Sequence, residues 1–371
     1  MKINIIGQVF STTGYSSHTR SLANALNKIH EVKLITGLIP NWEYQCNDSE
    51  MQMIQRPDDT EAVNLIIDLP HNWPMYLNKK KNIGFCVFEG DKVPLSWIDN
   101  IKDERVNQVW VPSQHVYEAI KNTMPNPLDW LLLRDKVKIV PHGVDKSIFN
   151  PLDKLPNPIF TFLMNKGFRG ELDRGGVQFG LKAFIEEFNK GEAKLILKIN
   201  PAYALPLDQL QAIINKYIQE SGKKEIGEIN VIYDNLTPKQ LNEVYNQCDI
   251  FLNPTQSEAF SLPTLEAMGC GKPSISTNYG GHIDFATPKN SWLIDYTLKE
   301  VKHDILYEGI KWAQIDIKKL RSCMREAKNE PNKCLSKGVN ALETSINWTW
   351  KKIHRPQEST TKVESYLSLN E

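Results

Sequence analysis

At 371 residues the chain exceeds what one hydrophobic core comfortably serves, so two domains are expected. Its 44 basic and 44 acidic residues cancel, which excludes the strongly basic field that holds nucleic acid. The six cysteines, at positions 46, 86, 248, 270, 323 and 334, form no C-x-x-C pair; that argues against a zinc or disulfide framework and for a reducing, cytoplasmic setting.

Met1 runs directly into the apolar segment KINIIG, so no leader peptide is expected, and no run approaches transmembrane length. In the first half, short apolar runs at Ile3–Ile6, Glu31–Thr36, Asn64–Leu69, Asn82–Phe88, Gln108–Val111 and Val137–Val140 read as strands. Helical-length segments separate them, which predicts a mostly parallel, doubly wound sheet with ligands at the strands' carboxyl ends. After the first strand, Gly7 and Gly14 flank a loop, and Ser16 or Ser17 is a candidate cap for the following helix. The loop is not G-x-G-x-x-G, so dinucleotide binding is not indicated. Glu89 follows the fourth strand and is expected at its carboxyl end; His71 occupies the same kind of position after the third. Trp130–Leu133 form an apolar cluster flanked by charge, read either as core or as a patch for a lipid or protein acceptor.

In the second half the same grammar repeats, with strands read at Ile159–Met164, Lys194–Lys198, Asn230–Tyr233, Asp249–Asn253, Pro273–Ser276 and Ser291–Ile294. Arg169 and Arg174 lie five residues apart on a glycine-rich loop entering a helix. The most informative stretch is SEAFSLPTLEAMGCGKPSIST, Ser257 to Thr277. Ser261 suits a helix cap and Pro263 its first turn, while Gly269, Gly271 and Pro273 end the helix. The main-chain N–H groups around Ala259, Phe260, Ser261 and Leu262 then face the positive helix end, a ready site for phosphate. Glu258 on the loop and Glu266 on the helix, eight residues apart, would repel a phosphate but bind hydroxyls well. A ligand with phosphate in the middle and polyol rings on both sides satisfies all of this, and a sugar nucleotide is such a ligand.

The E-x7-E spacing, with the preceding strand, the Pro-x-x-Glu-Ala run of Pro263 to Ala267 and the Gly-Lys-Pro of Gly271 to Pro273, closely resembles the donor-site motif of retaining GT-B-fold glycosyltransferases of family 4 (glycosyl transferases group 1). The resemblance implies an α/β fold of two doubly wound Rossmann-like domains facing each other across a cleft. It implies an acceptor-side domain over residues 1–150, completed by 351–371, and a donor-binding domain over 151–350. It gives Glu258 the sugar hydroxyls and Glu266 the ribose. Arg169 matches the family's diphosphate-gripping Arg, Arg174 replaces its Lys, and Gly175 matches the Gly that follows. Gly14 corresponds to a loop glycine that contacts donor or acceptor. His142, in PHGVD, fits the turn before the interdomain linker. Many members use a histidine in the region of Glu89 to touch the donor sugar; Glu89 and His71 are read either as acceptor ligands or as solvated loop residues. Asn235 and Leu236 lie in the loop that cradles the nucleobase, and Lys198 is a further donor contact. Trp350 would anchor the crossing of the last segment back onto the first domain. Departures are Arg174, and Ser261 where glycine is commoner.

The implied reaction moves a hexose from a UDP- or GDP-sugar to a hydroxyl of a glycan, glycolipid or glycoprotein acceptor with retention of configuration. No cofactor is expected. No Asp-x-Asp triplet occurs, consistent with basic side chains rather than a divalent metal neutralising the diphosphate. A nucleotide-sugar epimerase of the same fold and a catalytically inactive sugar-nucleotide binder are the alternatives. Peripheral membrane contact stays open if the acceptor is a lipid, and the sequence leaves the oligomeric state unknown.

Overall fold

The computed structural model of the protein describes residues 1–36, 44–153 and 157–350. The chain divides into two units, Met1–Gly143 with residues 348–350, and Val144–Asn347. The expected boundary near residue 150 therefore moves back to Gly143. Residues 144–150 are held by the second unit: Lys146 donates to the Gly269 carbonyl, the Phe149 ring meets Tyr245 edge-on at 5.9 Å, and the Asn150 N–H bonds the Asn242 side chain at 3.2 Å. Trp350 belongs to the first unit and joins its apolar core. The expected contribution of 351–371 lies outside the described residues.

Among the described residues unit 1 has six strands: β1 (Lys2–Gly7), β2 (Glu31–Thr36), β3 (Val63–Ile67), β4 (Asn82–Phe85), β5 (Gln108–Val111) and β6 (Val137–Ile139). They pair in the order β2-β1-β3-β4-β5-β6, every neighbour parallel. Their near-continuous apolar runs follow from burial on both faces of a parallel sheet. The helices are α1 (Gly14–Leu26), α2 (Asp48–Gln55), α3 (Ile98–Lys102), α4 (Gln114–Thr123) and α5 (Pro127–Leu133). The cap of α1 is Thr13, not Ser16 or Ser17: its hydroxyl accepts the Ser16 N–H at 3.2 Å, and both serines lie inside the helix. The Trp130–Leu133 cluster splits between its two readings. Leu133 is buried and Trp130 packs edge-on against Tyr117 at 5.0 Å, whereas Leu131 and Leu132 are exposed.

Unit 2 has β7 (Thr161–Phe168), β8 (Lys194–Ala204), β9 (Glu228–Tyr233), β10 (Ile250–Asn253), β11 (Ser274–Thr277) and β12 (Ser291–Ile294), and an antiparallel hairpin of β13 (Tyr296–Glu300) and β14 (Lys311–Ile315). The helices are α6 (Val177–Glu187), α7 (Leu207–Ser221), α8 (Pro238–Asn246), α9 (Leu262–Gly269), α10 (Ile317–Asn329) and α11 (Pro331–Asn347). Sheet order is β12-β11-β10-β7-β8-β9, all parallel. Counted within the unit this is the 3-2-1-4-5-6 order of dinucleotide-binding sheets, whose direction of winding reverses between β7 and β10. Two strands run further than expected: β7 extends past Met164 to Phe168, with a bulge between Lys166 and Phe168, and β8 extends past Lys198 to Ala204. Lys198 is thus inside a strand, paired in register with Asn165, rather than at a strand end. The hairpin was not anticipated.

Gly176 opens α6 with φ +82°, and a Cβ there would lie 1.8 Å from the Pro254 carbonyl oxygen. Backbone crowding and a left-handed conformation act together at this position. Gly176→Ala should therefore lose roughly 3 kcal/mol of stability, read as a fall in the chemical-denaturation midpoint; an unchanged midpoint would contradict this account of the α6 entry.

Candidate functional site

Crevices in open α/β sheets form beyond the carboxyl ends of the strands where the winding reverses. In unit 2 those ends belong to β7 and β10. β7 delivers Asn165 and Lys166, the loop after it carries Arg169 and Arg174, and β10 leads through Thr255–Ser257 to Glu258 and α9.

Glu258 is the centre of this group. Lys166 Nζ lies 2.5 Å from its Oε1 and Arg174 Nη1 lies 3.3 Å from its Oε2, while the same Arg174 nitrogen donates to the Ser257 carbonyl at 2.5 Å. The Glu258 and Lys166 side chains are only 16% and 6% exposed. Burial pushes the Glu258 carboxyl up, but the adjacent Lys166 and Arg174 charges outweigh it and hold the acid down at about 2. The loop is braced from behind. The Gly281 N–H donates to the Glu258 carbonyl at 2.7 Å, and Gly280, at φ +114°, lets this strand end approach: a Cβ there would sit 3.0 Å from Glu258 N and O. The Gln256 N–H donates to the Arg174 carbonyl at 2.9 Å, and the Ala313 N–H of β14 donates to the Gln256 carbonyl at 2.8 Å. The unanticipated hairpin thereby ties down both loops of the site.

Ala259 and Phe260 are buried, with Phe260 against Phe285 at 5.1 Å, and Leu262 begins α9. Ser261 occupies the cap position but does not cap as expected. It has φ 72° and ψ 72°, the left-handed region, and its hydroxyl pairs with Thr264 Oγ1 at 2.9 Å instead of accepting a helix N–H. Among the described residues it is the only non-glycine with positive φ. Strain of this kind, about 1–3 kcal/mol, concentrates at functional sites.

Arg169 is not brought to Glu258. It is exposed, with its guanidinium carbon 5.4 Å from the Tyr203 ring centre, and its N–H is held by Asp173 Oδ2 at 2.8 Å. The cation beside Glu258 on β7 is Lys166, which the sequence reading passed over. Its signal was a lysine just past an apolar run, hidden by ending the strand at Met164.

Glu266, half-buried on α9, accepts from Tyr245 Oη at 2.7 Å, and Tyr245 Oη accepts from Asn165 Nδ2 at 2.9 Å. Burial raises the Glu266 carboxyl to about 7 despite the lowering effects of Tyr245 and Lys198. Burial lowers Lys198 to about 8, with Glu266 and Asp234 pulling the other way. Asn235 and Leu236 lie half-buried in the turn between β9 and α8, where the Asn235 N–H bonds its neighbour Asp234 at 2.7 Å.

In unit 1, Gly14 is the exposed first residue of α1, and a Cβ there would meet nothing within 4 Å. Glu89 is half-buried, four residues beyond β4. His142 is packed rather than presented: it is 5% exposed, stacked on Phe85 at 5.6 Å and against His18 at 4.1 Å. Burial lowers its ring to about 3, so it is neutral. His71 is exposed in a 3-10 turn. Among the described residues no cluster of three His, Cys, Asp or Glu side chains is disposed to hold a metal ion, and no helix is long and apolar enough to cross a membrane.

Residues 215–330 match the family model described as glycosyl transferases group 1. That stretch includes both glutamates but neither Lys166 nor Arg174. The chain is 25% identical over 199 residues to mannosylfructose-phosphate synthase of Agrobacterium fabrum, covering 48% of this chain and 43% of that protein. It is 27% identical over 167 residues to D-inositol 3-phosphate glycosyltransferase of Corynebacterium jeikeium, covering 39% and 36%. The chain thus spans less than half the length of these curated relatives. Among solved structures, Anabaena Alr3699/HepE in complex with UDP-glucose superimposes with a TM-score of 0.66 at 13% identity over 100% of both chains. Sucrose-phosphate synthase from Thermosynechococcus elongatus does so with 0.64 at 14% identity over 99% of this chain and 98% of that one. At such identity the likeness is one of fold: two Rossmann-like parallel-sheet units.

The two acids make opposite contributions to pH-dependent stability. Glu266 at about 7, against an ordinary 4.5, binds more protons folded than unfolded between those values. Folding stability therefore falls as pH rises from 4.5 to 7, by on the order of 1–2 kcal/mol after allowing for its partial exposure. Glu266→Gln keeps an acceptor for Tyr245 and removes the titration. Its melting temperature, relative to the parent's, should be higher at pH 7.5 than at pH 4.5. An identical difference at both pH values would refute the assigned environment.

Proposed function

We propose that unit 2 binds a nucleotide diphosphate sugar, a UDP- or GDP-hexose, and that the protein transfers the sugar to an acceptor hydroxyl with retention of configuration. One observation carries this reading: a carboxylate clasped by a lysine and an arginine, beside a helix N-terminus, at the point where the sheet reverses. The match of residues 215–330 and the UDP-glucose complex of a structural neighbour support it.

In this mechanism the diphosphate of the donor takes Lys166 and Arg174 as its counter-charges and the start of α9 as its amide cradle. Departure of the nucleotide builds negative charge on the phosphate that leaves, and fixed cations stabilise that charge without reorganising. Glu258, released from its two cations, turns to the sugar hydroxyls. It positions the sugar and is not assigned as a nucleophile. The departing phosphate helps take the proton of the acceptor hydroxyl on the same face, which gives retention. Glu266 holds the ribose, and the Asn235–Leu236 turn faces the base. With two cations on the phosphates, no divalent metal is required.

Three variants and a chelator test this. Lys166→Ala and Arg174→Ala should each lower kcat for transfer by about 100- to 1,000-fold, with the fold intact by circular dichroism. Arg169→Ala should stay within about threefold, because its side chain lies over Tyr203. Collapse of activity in Arg169→Ala with a near-normal Lys166→Ala would restore the pairing expected from spacing alone. Turnover should persist in excess chelator, and the product anomer, read by NMR, should match that of the donor. A strict metal requirement or an inverted product would overturn the mechanism.

A further inference from the structure

We propose that Tyr245, oriented by Asn165, is the positioning residue that aims the Glu266 carboxyl at the ribose of the nucleotide, so that discrimination for a ribose hydroxyl depends on a residue that never touches the ligand. The inference rests on the nucleotide-sugar reading above and deepens it.

Tyr245 is 1% exposed, its ring wedged edge-on against Phe149 and Phe251 at 5.9 and 6.0 Å, so the hydroxyl has little freedom to move. A tyrosine hydroxyl has one proton to give and lone pairs to receive. The Asn165 amide nitrogen can only donate, and it points at Tyr245 Oη from 2.9 Å. The hydroxyl proton is therefore directed to its other neighbour, Glu266 Oε2, at 2.7 Å. That bond fixes the carboxyl plane and occupies one of its oxygens. Among the described residues Oε1 has no hydrogen-bond partner. A carboxyl held by one oxygen and open at the other is a preset acceptor for a ligand hydroxyl.

The electrostatic surroundings agree. From β8, Lys198 faces Glu266, with Asp234 next to it after β9; Cys270 adds a weak influence from the end of α9 itself. Burial favours the neutral acid, while the Tyr245 bond and Lys198 favour the anion. Removing the hydroxyl removes a bond to the ionised form, so Glu266 must titrate at higher pH and accept less well near neutrality. Asn165 immediately precedes Lys166 on β7. One strand thus sets both acids, Glu258 directly and Glu266 through Tyr245.

The test is calorimetric titration of the full chain with the tighter-binding of UDP and GDP and its 2′- and 3′-deoxy forms, between pH 6 and 9. Tyr245→Phe should weaken the ribonucleotide about tenfold at pH 7. It should also move the pH midpoint of affinity upward and abolish the preference for ribose over one deoxy form. The kcat at saturating donor should stay within about threefold. Asn165→Asp, which can accept the tyrosine proton and turn it away from Glu266, should reproduce the effect without creating a cavity. Equal weakening of ribo- and deoxynucleotides with an unmoved pH midpoint would reduce Tyr245 to a packing residue and overturn the proposal. So would a wild-type-like Asn165→Asp. A parent protein that binds neither UDP nor GDP at any pH would instead overturn the nucleotide-sugar reading itself, and this inference with it.

Discussion

The ion triad of Lys166, Glu258 and Arg174 is the constraint on which unit 2 is built. Taking a carboxylate out of water costs several kcal/mol, and only close, well-aligned cations offset it. Those cations come from different elements: Lys166 from the bulged end of β7 and Arg174 from the loop before α6. Bringing them together requires Gly176 under the Pro254 carbonyl, Gly280 behind Glu258, and the hairpin bond to Gln256. Without ligand, the carboxylate serves as the counter-ion that keeps two cations from repelling each other. In the proposed mechanism a diphosphate does not enter a vacant positive site; it displaces a carboxylate from two partners. On that reading the displaced carboxylate would be freed for hydroxyl binding as the sugar arrives, which would couple recognition of the two halves of the proposed donor.

Two glutamates on one loop and helix are driven in opposite directions by their neighbours. Glu258, with two cations in contact, is held at about 2, whereas Glu266, with a neutral donor in contact and a lysine nearby, rises to about 7. The difference is not burial, which raises both, but whether a full charge stands in hydrogen-bond contact. Pairs of like groups pushed apart in this way divide labour in enzyme sites. In the proposed donor site the division would be between an acid that must remain ionised against the diphosphate's own charge and an acid for which accepting a hydroxyl suffices.

Both sheets were legible because a parallel strand buried on two faces writes itself as a short apolar run, and helices between such runs leave one topology class. Glu258, Glu266 and the α9 start were legible because they lie in one contiguous stretch. What was not legible depended on neighbours distant in sequence. Lys166 went unassigned because fixed spacing pointed to Arg169, while the strand ran four residues beyond Met164 and carried the lysine to the site instead. Tyr245 resembles any aromatic on an apolar helix face until Asn165 and Glu266 are brought to it. The hairpin escaped because every residue of β13 is exposed, so the alternation that marks a half-buried strand is missing. Ser261 shows the limit of capping rules: its side chain suits a cap, but its backbone is forced left-handed and the hydroxyl turns to Thr264.

Unit 1 shows how a histidine in a suggestive motif can serve the core. His142 follows β6 at a strand's carboxyl end, where a ligand contact is the natural reading. Yet Phe85 stacks on it, His18 meets it at 4.1 Å, and Trp350, returning from the far end of the described chain, comes within 6.5 Å. An imidazole enclosed by aromatic rings is poorly hydrated, so its charged form is disfavoured and it packs as a neutral ring. The cluster lies where the chain leaves unit 1, at Gly143, and where it comes back, at Trp348. Aromatic packing is thus concentrated where the two passages of the chain must be secured. Trp350 itself is an 8% exposed indole within the apolar core of residues 1–143.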